Sequence, residues 1–201
     1  MQGQPIELLG LPAKVWAYDA HDHTVIREPQ GGWAIEIRGE GMDKATYLGV
    51  LGQLRLVDEA GFEAALPAGF ATSGNRQEMV AGMVLGIQQH VDPLFPDGRE
   101  HVIESYAFDP YQLGVDVVSA VSCAWLDELD AARAAGDAAR EQRATAALST
   151  AEDWPVLAQM EDGGMYPDVL RGLLDLAIAG PVPEGSREAL ACPPSEADPQ
   201  R

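Results

Sequence analysis

Residues 19–24, with the sequence DAHDHT, hold the side chains best suited to chemistry. His21 and His23 are two neutral imidazoles that could bind zinc or another transition metal, with a flanking aspartate as a third ligand. The pair lies where two strands are expected to turn, and a turn directs the two imidazoles apart. We therefore predict a polar hairpin loop here, with a histidine metal site as the alternative.

A glycine-containing turn follows the third predicted strand. Gly39 and Gly41, followed by Lys44 at a helix start, have the layout of a phosphate-binding turn. The third glycine of that motif is missing, and Glu40 and Asp43 would place negative charge where a phosphate binds. We interpret the segment as a strand-to-helix turn capped by Asp43, and we predict that the protein has no cofactor.

The sequence carries no recognisable motif for nucleophilic catalysis. It contains no GxSxG elbow, and Cys123 lies inside an apolar helical run while Cys192 lies in a proline-rich tail. Two cysteines so far apart suggest neither a disulfide framework nor a CxxC metal site. We therefore predict that Cys123 is a small core residue and that the protein resides in a reducing compartment.

The chain is strongly acidic, with 32 acidic against 13 basic residues and a net charge of −19. Such a charge opposes direct binding to nucleic acid or to an anionic membrane surface. Residues 1–100 carry 14 acids and 7 bases, whereas residues 101–201 carry 18 acids and 6 bases. The charge therefore favours a protein partner with a basic surface, recognised by the C-terminal half.

We predict a non-enzymatic protein-binding module of the inhibitor, immunity protein, adaptor or chaperone type. The alternative is a hydrolase-type enzyme whose carboxylate- or histidine-based metal site is assembled from distant residues. The predicted partner-binding acids are Asp116, Asp127, Glu128, Asp130, Glu152, Asp153, Glu161 and Asp162.

The N-terminal third has the alternating pattern of a β-meander. Residues 15–19, 24–28 and 33–38 are predicted strands, and Asp43 then opens a helix whose apolar stripe includes Tyr47 and Leu51. We expect the helix to cover one face of the sheet, formed by Trp16, Tyr18, Ile35 and Ile37.

Helical periodicity dominates the remainder. Asn75 is predicted to cap a helix, and residues 101–108 are rich enough in β-branched and aromatic residues to predict a fourth strand. A long helix begins at Pro110 and ends at Gly136, where Asp137 begins its antiparallel neighbour. Another helix runs from about residue 167 to Gly180.

These elements predict an α+β fold, with an N-terminal antiparallel β-meander packed by helices and a mainly helical C-terminal half. We expect residues 1–108 and the helical residues 109–182 to pack as one domain, and residues 183–201 to form a flexible tail.

Two further expectations concern location and assembly. The sequence shows neither a leader peptide nor a membrane-spanning run, so we expect a cytoplasmic protein. The apolar surface of the long helix around Val118 and Trp125 makes a homodimer an additional possibility, and Arg133 is expected to form surface pairs with Asp130 and Asp137.

Overall fold

The computed structural model of the protein describes residues 3–192, and these divide into two compact units. Residues 3–66 form an antiparallel sheet with short helices, and residues 67–192 are mainly helical, which confirms the α+β class. The division between the two units falls after Leu66. Residues 67–108 group with the later helices because Val80, Ile87 and Ile103 belong to the same apolar core as those helices.

The sheet is a four-stranded meander in the order β1-β2-β3-β4. The three predicted strands are confirmed, as β2 (Leu11–Ala17), β3 (Asp22–Gln30) and β4 (Trp33–Glu40). Strand β1 (Gln4–Leu8) escaped prediction because it is short and contains Pro5. An edge strand tolerates proline because one row of its backbone groups needs no partner strand.

Helix α1 (Lys44–Leu51) covers one face of this sheet. It begins as predicted, because the Asp43 side chain accepts a hydrogen bond from the Thr46 N–H, at 2.8 Å. Tyr47 and Leu51 are buried on it. The sheet residues that form this core are Ala13, Val15, Val25, Ile35 and Ile37.

The prediction that Trp16 and Tyr18 also face this helix was wrong. Val15 pairs with Val25 in the sheet, so its neighbour Trp16, which pairs with Thr24, points to the opposite face. Tyr18 is 58% exposed. Alternation alone does not reveal which of two apolar faces the helix covers, because both sets of residues have the period of two.

The first unit also contains the short helix α2 (Glu59–Ala65). The second unit contains six helices within residues 67–192. These are α3 (Arg76–Gln88), α4 (Pro110–Ala135), α5 (Ala138–Ser149), α6 (Pro155–Met160), α7 (Tyr166–Ala179) and α8 (Ser186–Ala189), with 3-10 turns at Thr150–Asp153 and Glu161–Gly163. No helix among the described residues has the length and apolar composition that a membrane span requires.

The long helix α4 is the centre of this unit. It packs with α3, α5 and α6, and Val118 and Trp125 are at most 2% exposed. The apolar surface that suggested a homodimer is therefore covered within the same chain. As predicted, Gly136 ends α4 in the left-handed conformation, with φ of 66°, and the Asp137 side chain caps α5 by accepting from the Arg140 N–H.

Arg133 does not form the predicted surface pairs. Its guanidinium instead donates to Glu141 at 2.8 Å and to the backbone carbonyls of Ala177 and Ile178 at 2.7 and 3.2 Å, near the C-terminus of α7. Carbonyls at a helix end have no partner within their own helix and attract a cation. Arg133 thus joins three helices that sequence spacing alone does not connect.

Three local predictions in this unit were also wrong. Asn75 precedes α3 but makes no cap; its side chain accepts from the Thr72 N–H instead, at 2.6 Å. Residues 101–108 form no strand, because they lie along α4 without a neighbouring strand. Residues 183–192 are not a loose tail, since they include α8 and Leu190, which is completely buried. Residues 193–201 of the predicted tail lie outside the described residues.

A close contact in the first unit yields a test of its packing. A Cβ atom on Gly39 would lie 2.6 Å from Cδ2 of Tyr47, whose hydroxyl donates to the Ile37 carbonyl. We predict that Gly39→Ala destabilises the first unit by about 1–3 kcal/mol, since overpacking displaces the ring. Hydrogen exchange of β3 and β4 amides, followed by mass spectrometry, measures this unit separately.

The matched control is Gly49→Ala, because a Cβ there meets no atom within 4 Å. Alanine is favoured over glycine in a helix, so this change should leave exchange unaltered or slow it, by up to about 1 kcal/mol. Equal changes in amide exchange for the two substitutions would contradict the close packing of the Tyr47 ring on Gly39.

Candidate functional site: an acidic groove along helix α4

A groove of about 1040 Å³ runs along one face of α4 in the second unit. One wall is formed by residues 95–106 and the other by α4. The α4 side of the groove includes Asp116, Ala120, Cys123, Ala124, Asp127 and Ala131. Their spacing of three and four residues places them on one helix face, and the small alanine side chains leave the groove open.

The predicted absence of a disulfide was wrong. Cys123 and Cys192 are bonded, with their Cα atoms 5.7 Å apart, and both line the groove. Their sequence separation of 69 hid this proximity, because sequence separation does not report distance in a fold. Because the two cysteines are bonded, they give no support to the expected reducing compartment. A cytoplasmic location stays a prediction.

The disulfide is one of several ties between the C-terminal segment and α4. The Ser119 hydroxyl donates to the Leu190 carbonyl at 2.6 Å and contacts the Tyr166 hydroxyl at 2.8 Å. Arg187 forms ion pairs with Asp127 and, at 3.2 Å, with Asp130. These contacts hold residues 186–192 against α4, so the groove has a well-defined end.

The opposite wall shows an alternating pattern of exposure. Val102, Glu104 and Tyr106 are exposed, whereas Ile103 and Ser105 are buried. The Ser105 hydroxyl donates to Asp116 at 2.5 Å and accepts from the Ala107 N–H at 3.1 Å. Ser105 therefore anchors this wall to α4 and leaves the alternate side chains facing solvent.

His101 lies beside Phe95 and Asp97 in the wall that faces α4. Its Nε2 is 2.9 Å from Oδ2 of Asp97, and its ring centroid is 4.6 Å from that of Phe95. The backbone N–H of Arg99, followed by the His101 ring, holds the pKa of Asp97 below its ordinary value of 3.8. Asp97 is thus a carboxylate at neutral pH and orients the imidazole.

The groove does not contain the contacts of a nucleophilic centre among its described residues. The Ser105 hydroxyl donates to the Asp116 carboxylate, and no described histidine contacts it as the imidazole base of a serine nucleophile would. No group of three histidine, cysteine or carboxylate side chains within residues 3–192 is arranged to hold a metal.

The predicted histidine pair is divided between two environments in the first unit. His21 is exposed in a loop, where its N–H donates to Asp19 at 2.6 Å, as expected for a polar hairpin. His23 is 1% exposed on β3, and its ring centroid lies 5.4 Å from that of Tyr47. No group of three or more potential metal ligands within residues 3–192 includes this pair.

The predicted partner-binding acids fall into different surroundings. Asp116, Asp127 and Glu128 line the groove, and Asp130 lies beside it through Arg187. Glu152, Asp153, Glu161 and Asp162 are exposed elsewhere on the unit, where Arg171 lies 4.0 Å from Glu152 and 3.1 Å from Glu161.

Sequence reasoning missed the second wall of the groove. His101, Glu104 and Tyr106 belong to it, but they lie in residues 101–108, which were interpreted as a strand. The alternation of Val102 to Tyr106 was the available signal, since it also describes an extended chain packed on a helix. No lysine or arginine lines the groove among the described residues.

The disulfide predicts a large effect on stability. Because it closes a loop of 69 residues, the chain-entropy model gives about 4 kcal/mol for its contribution to the free energy of unfolding. We expect Cys123→Ser/Cys192→Ser to lose up to that amount in urea denaturation. Thiol titration of the unfolded, unreduced wild type should find no free cysteine. Two free thiols per chain in that titration would rule out the bond.

Glu128 predicts a pH dependence. Arg140 donates two hydrogen bonds to it, at 2.7 and 2.6 Å, and these hold the pKa of Glu128 below its ordinary value of 4.5. A lowered pKa in the folded state stabilises the fold above the ordinary value, and this stabilisation is lost as the pH falls. The difference in unfolding free energy between wild type and Glu128→Gln should therefore narrow from pH 6 to pH 3.

At neutral pH we expect Glu128→Gln to cost about 1.5–3 kcal/mol, the range for hydrogen bonds to a charged group. Glu161→Gln is the control, because Glu161 is 57% exposed and its pair with Arg171 should contribute under about 1 kcal/mol. If the difference in unfolding free energy between wild type and Glu128→Gln stays constant from pH 6 to pH 3, this contradicts the lowered pKa of Glu128.

Comparison with known proteins gives no relative for this chain. No protein-family model, no curated protein and no solved structure matches it. A function must therefore be inferred from the groove and its side chains.

Proposed function

We propose that the protein is a non-enzymatic protein-binding module whose α4 groove binds a positively charged segment of a partner protein. The observation that carries this proposal is the ionisable lining of the groove. It contains five acidic side chains and no lysine or arginine among the described residues: Asp97, Glu104, Asp116, Asp127 and Glu128. Inhibitors, immunity proteins, adaptors and chaperones are the classes that use such a surface.

The charges of the groove are only partly neutralised. Arg187 pairs with Asp127, and Arg140 and Arg143 pair with Glu128. Glu104 and Asp116, by contrast, form no ion pair with any described residue. Glu104 is exposed and Asp116 half-buried, with one Asp116 oxygen accepting from the Ser105 hydroxyl, so their negative charges are available to lysine or arginine side chains of a partner. Such complementarity accelerates association and selects against acidic partners.

Apolar groups border the same groove. Val102 and Tyr106 are each 82% exposed, an unusual position for large apolar side chains on one short segment. Ala120 and Ala124 on the facing helix allow a bound chain to approach closely. The exposed apolar side chains supply affinity by losing water contact, and the carboxylates supply orientation.

The other predicted acids offer a partner less unpaired negative charge. Arg171 already lies among Glu152, Glu161 and Asp168, at 4.0, 3.1 and 3.7 Å. Met165 and Val169, which flank Asp168 in sequence, are 75% and 37% exposed, less than Val102 and Tyr106. We therefore assign partner binding first to Glu104 and Asp116, while Asp127 and Glu128 line the same groove but are already paired with arginines.

The proposal is tested with the labelled peptide KVAKAVK and fluorescence anisotropy. We expect binding that weakens as salt increases, and a further loss in Glu104→Gln/Asp116→Asn. Each lost charge contact should weaken binding about two- to fivefold, the range of exposed ion pairs. Asparagine at position 116 keeps an acceptor for the Ser105 hydroxyl, so the wall should stay in place.

The matched control is Glu152→Gln/Asp153→Asn, which removes the same two charges outside the groove. It should bind the peptide with unchanged affinity. An equal loss in both double variants would show that only net charge matters, and no binding by the wild type would remove the proposal.

A further inference from the structure

We infer that residues 101–106 bind the partner by β-strand addition, so that its segment pairs backbone to backbone with this wall. The inference rests on the proposed function and specifies the conformation and residue pattern of the partner. It depends on three features of the wall: its alternating exposure, its unpaired backbone and its length.

The alternation is that of an extended chain. Ile103 and Ser105 are buried, with Ser105 bonded to Asp116 of α4, whereas side chains 102, 104 and 106 are exposed. An extended chain in this orientation directs its N–H and C=O groups sideways, along the two edges. Ser105 fixes the orientation through its hydrogen bond to Asp116.

The backbone of this segment is unpaired. The N–H and C=O groups of residues 101–106 make no hydrogen bond to any described residue. The next two residues differ, since the Ala107 carbonyl accepts from Arg76 and the Phe108 carbonyl accepts from the Ala71 N–H, at 3.0 and 2.7 Å. An extended chain with free backbone groups is a template for another strand.

The two walls have matching lengths. Six extended residues span about 20 Å at roughly 3.3 Å each. The α4 stripe from Asp116 to Ala131 spans about 22 Å at roughly 1.5 Å per residue. A partner strand of about six residues therefore fits beside residues 101–106 and over the alanines of α4.

Cross-strand pairing defines the partner's side chains. On the outward face, a lysine or arginine would lie opposite Glu104, between two apolar residues opposite Val102 and Tyr106. On the inward face, small residues would meet Ala120 and Ala124. The expected motif is therefore a central basic residue with apolar residues two positions away on each side and small residues between them.

A second copy of this chain is a poorer occupant. Antiparallel pairing of two 101–106 segments centred on Glu104 would place two glutamates directly opposite each other. Like charges in that position are destabilising, and the other acids of the groove add to the repulsion. The charge of the wall thus favours a basic partner over self-association.

Amide hydrogen exchange by NMR tests the pairing, with saturating KVAKAVK as the probe. In the free protein the amides of residues 101–106 should exchange rapidly. In the complex an alternate set of them should be protected at least tenfold, because a strand pairs through one edge only. Protection of none of these amides, with binding that is still lost in Glu104→Gln/Asp116→Asn, would overturn strand addition and leave the proposed function standing.

Peptide variants provide a second measurement. N-methylation of the alternate residues that donate to the wall should weaken binding at least tenfold, and N-methylation of the other alternate set should change it less than threefold. Equal effects of the two sets would contradict strand addition. Failure of the unmodified peptide to bind would instead remove both the inference and the proposed function.

A charge exchange tests the register. Glu104→Lys should prefer KVAEAVK over KVAKAVK by about two- to fivefold or more, the range of a cross-strand charge pair. Asp153→Lys, with the same charge change outside the groove, should keep the wild-type preference. If the peptide preference reverses in both variants, the central residue of the peptide does not lie opposite position 104.

Discussion

The burial of helix α4 is the constraint on which the second unit depends. Half of its 26 residues are buried, on more than one face, so it is stable only when other helices surround it. Helices α3, α5 and α6 supply that cover. The face that remains open carries Asp116 and Asp127, which cannot be buried without partners. The groove therefore lies along a polar face of α4, which the other described helices leave uncovered.

The C-terminal segment closes the unit around this helix. Leu190 is buried, Arg187 pairs with α4 carboxylates, and the disulfide joins Cys192 to Cys123. The Ser119 and Tyr166 hydroxyls meet beneath it, and burial raises the pKa of Tyr166 to about 12, so that the phenol keeps its proton and continues to donate. Burying these polar groups is acceptable because each has a hydrogen-bond partner.

The acidity of the chain becomes informative only when its arginines are located. Arg140, Arg171 and Arg187 each neutralise neighbouring carboxylates, and none of them lines the groove. The net charge of −19 is therefore not spread evenly, because only some carboxylates are paired with an arginine among the described residues. Glu104 and Asp116 lie in a groove that also carries the exposed apolar side chains Val102 and Tyr106, which is why we centre the proposed function on them.

Local patterns in the sequence determined the elements and their ends. The 3.6-residue periodicity identified α4 and α7, and the glycine at 136 followed by an aspartate placed the turn before α5, because these signals act within a few residues. The same holds for the Asp43 cap and for three of the four strands.

Only the tertiary structure decided which elements meet. It paired Cys123 with Cys192, turned Arg133 toward α7, and placed residues 101–106 along a helix instead of in a sheet. Each outcome depends on contacts between residues distant in the chain, and periodicity carries no information about such contacts. The sequence alone therefore established an acidic α+β protein, whereas the groove and its unpaired wall became visible only in the fold.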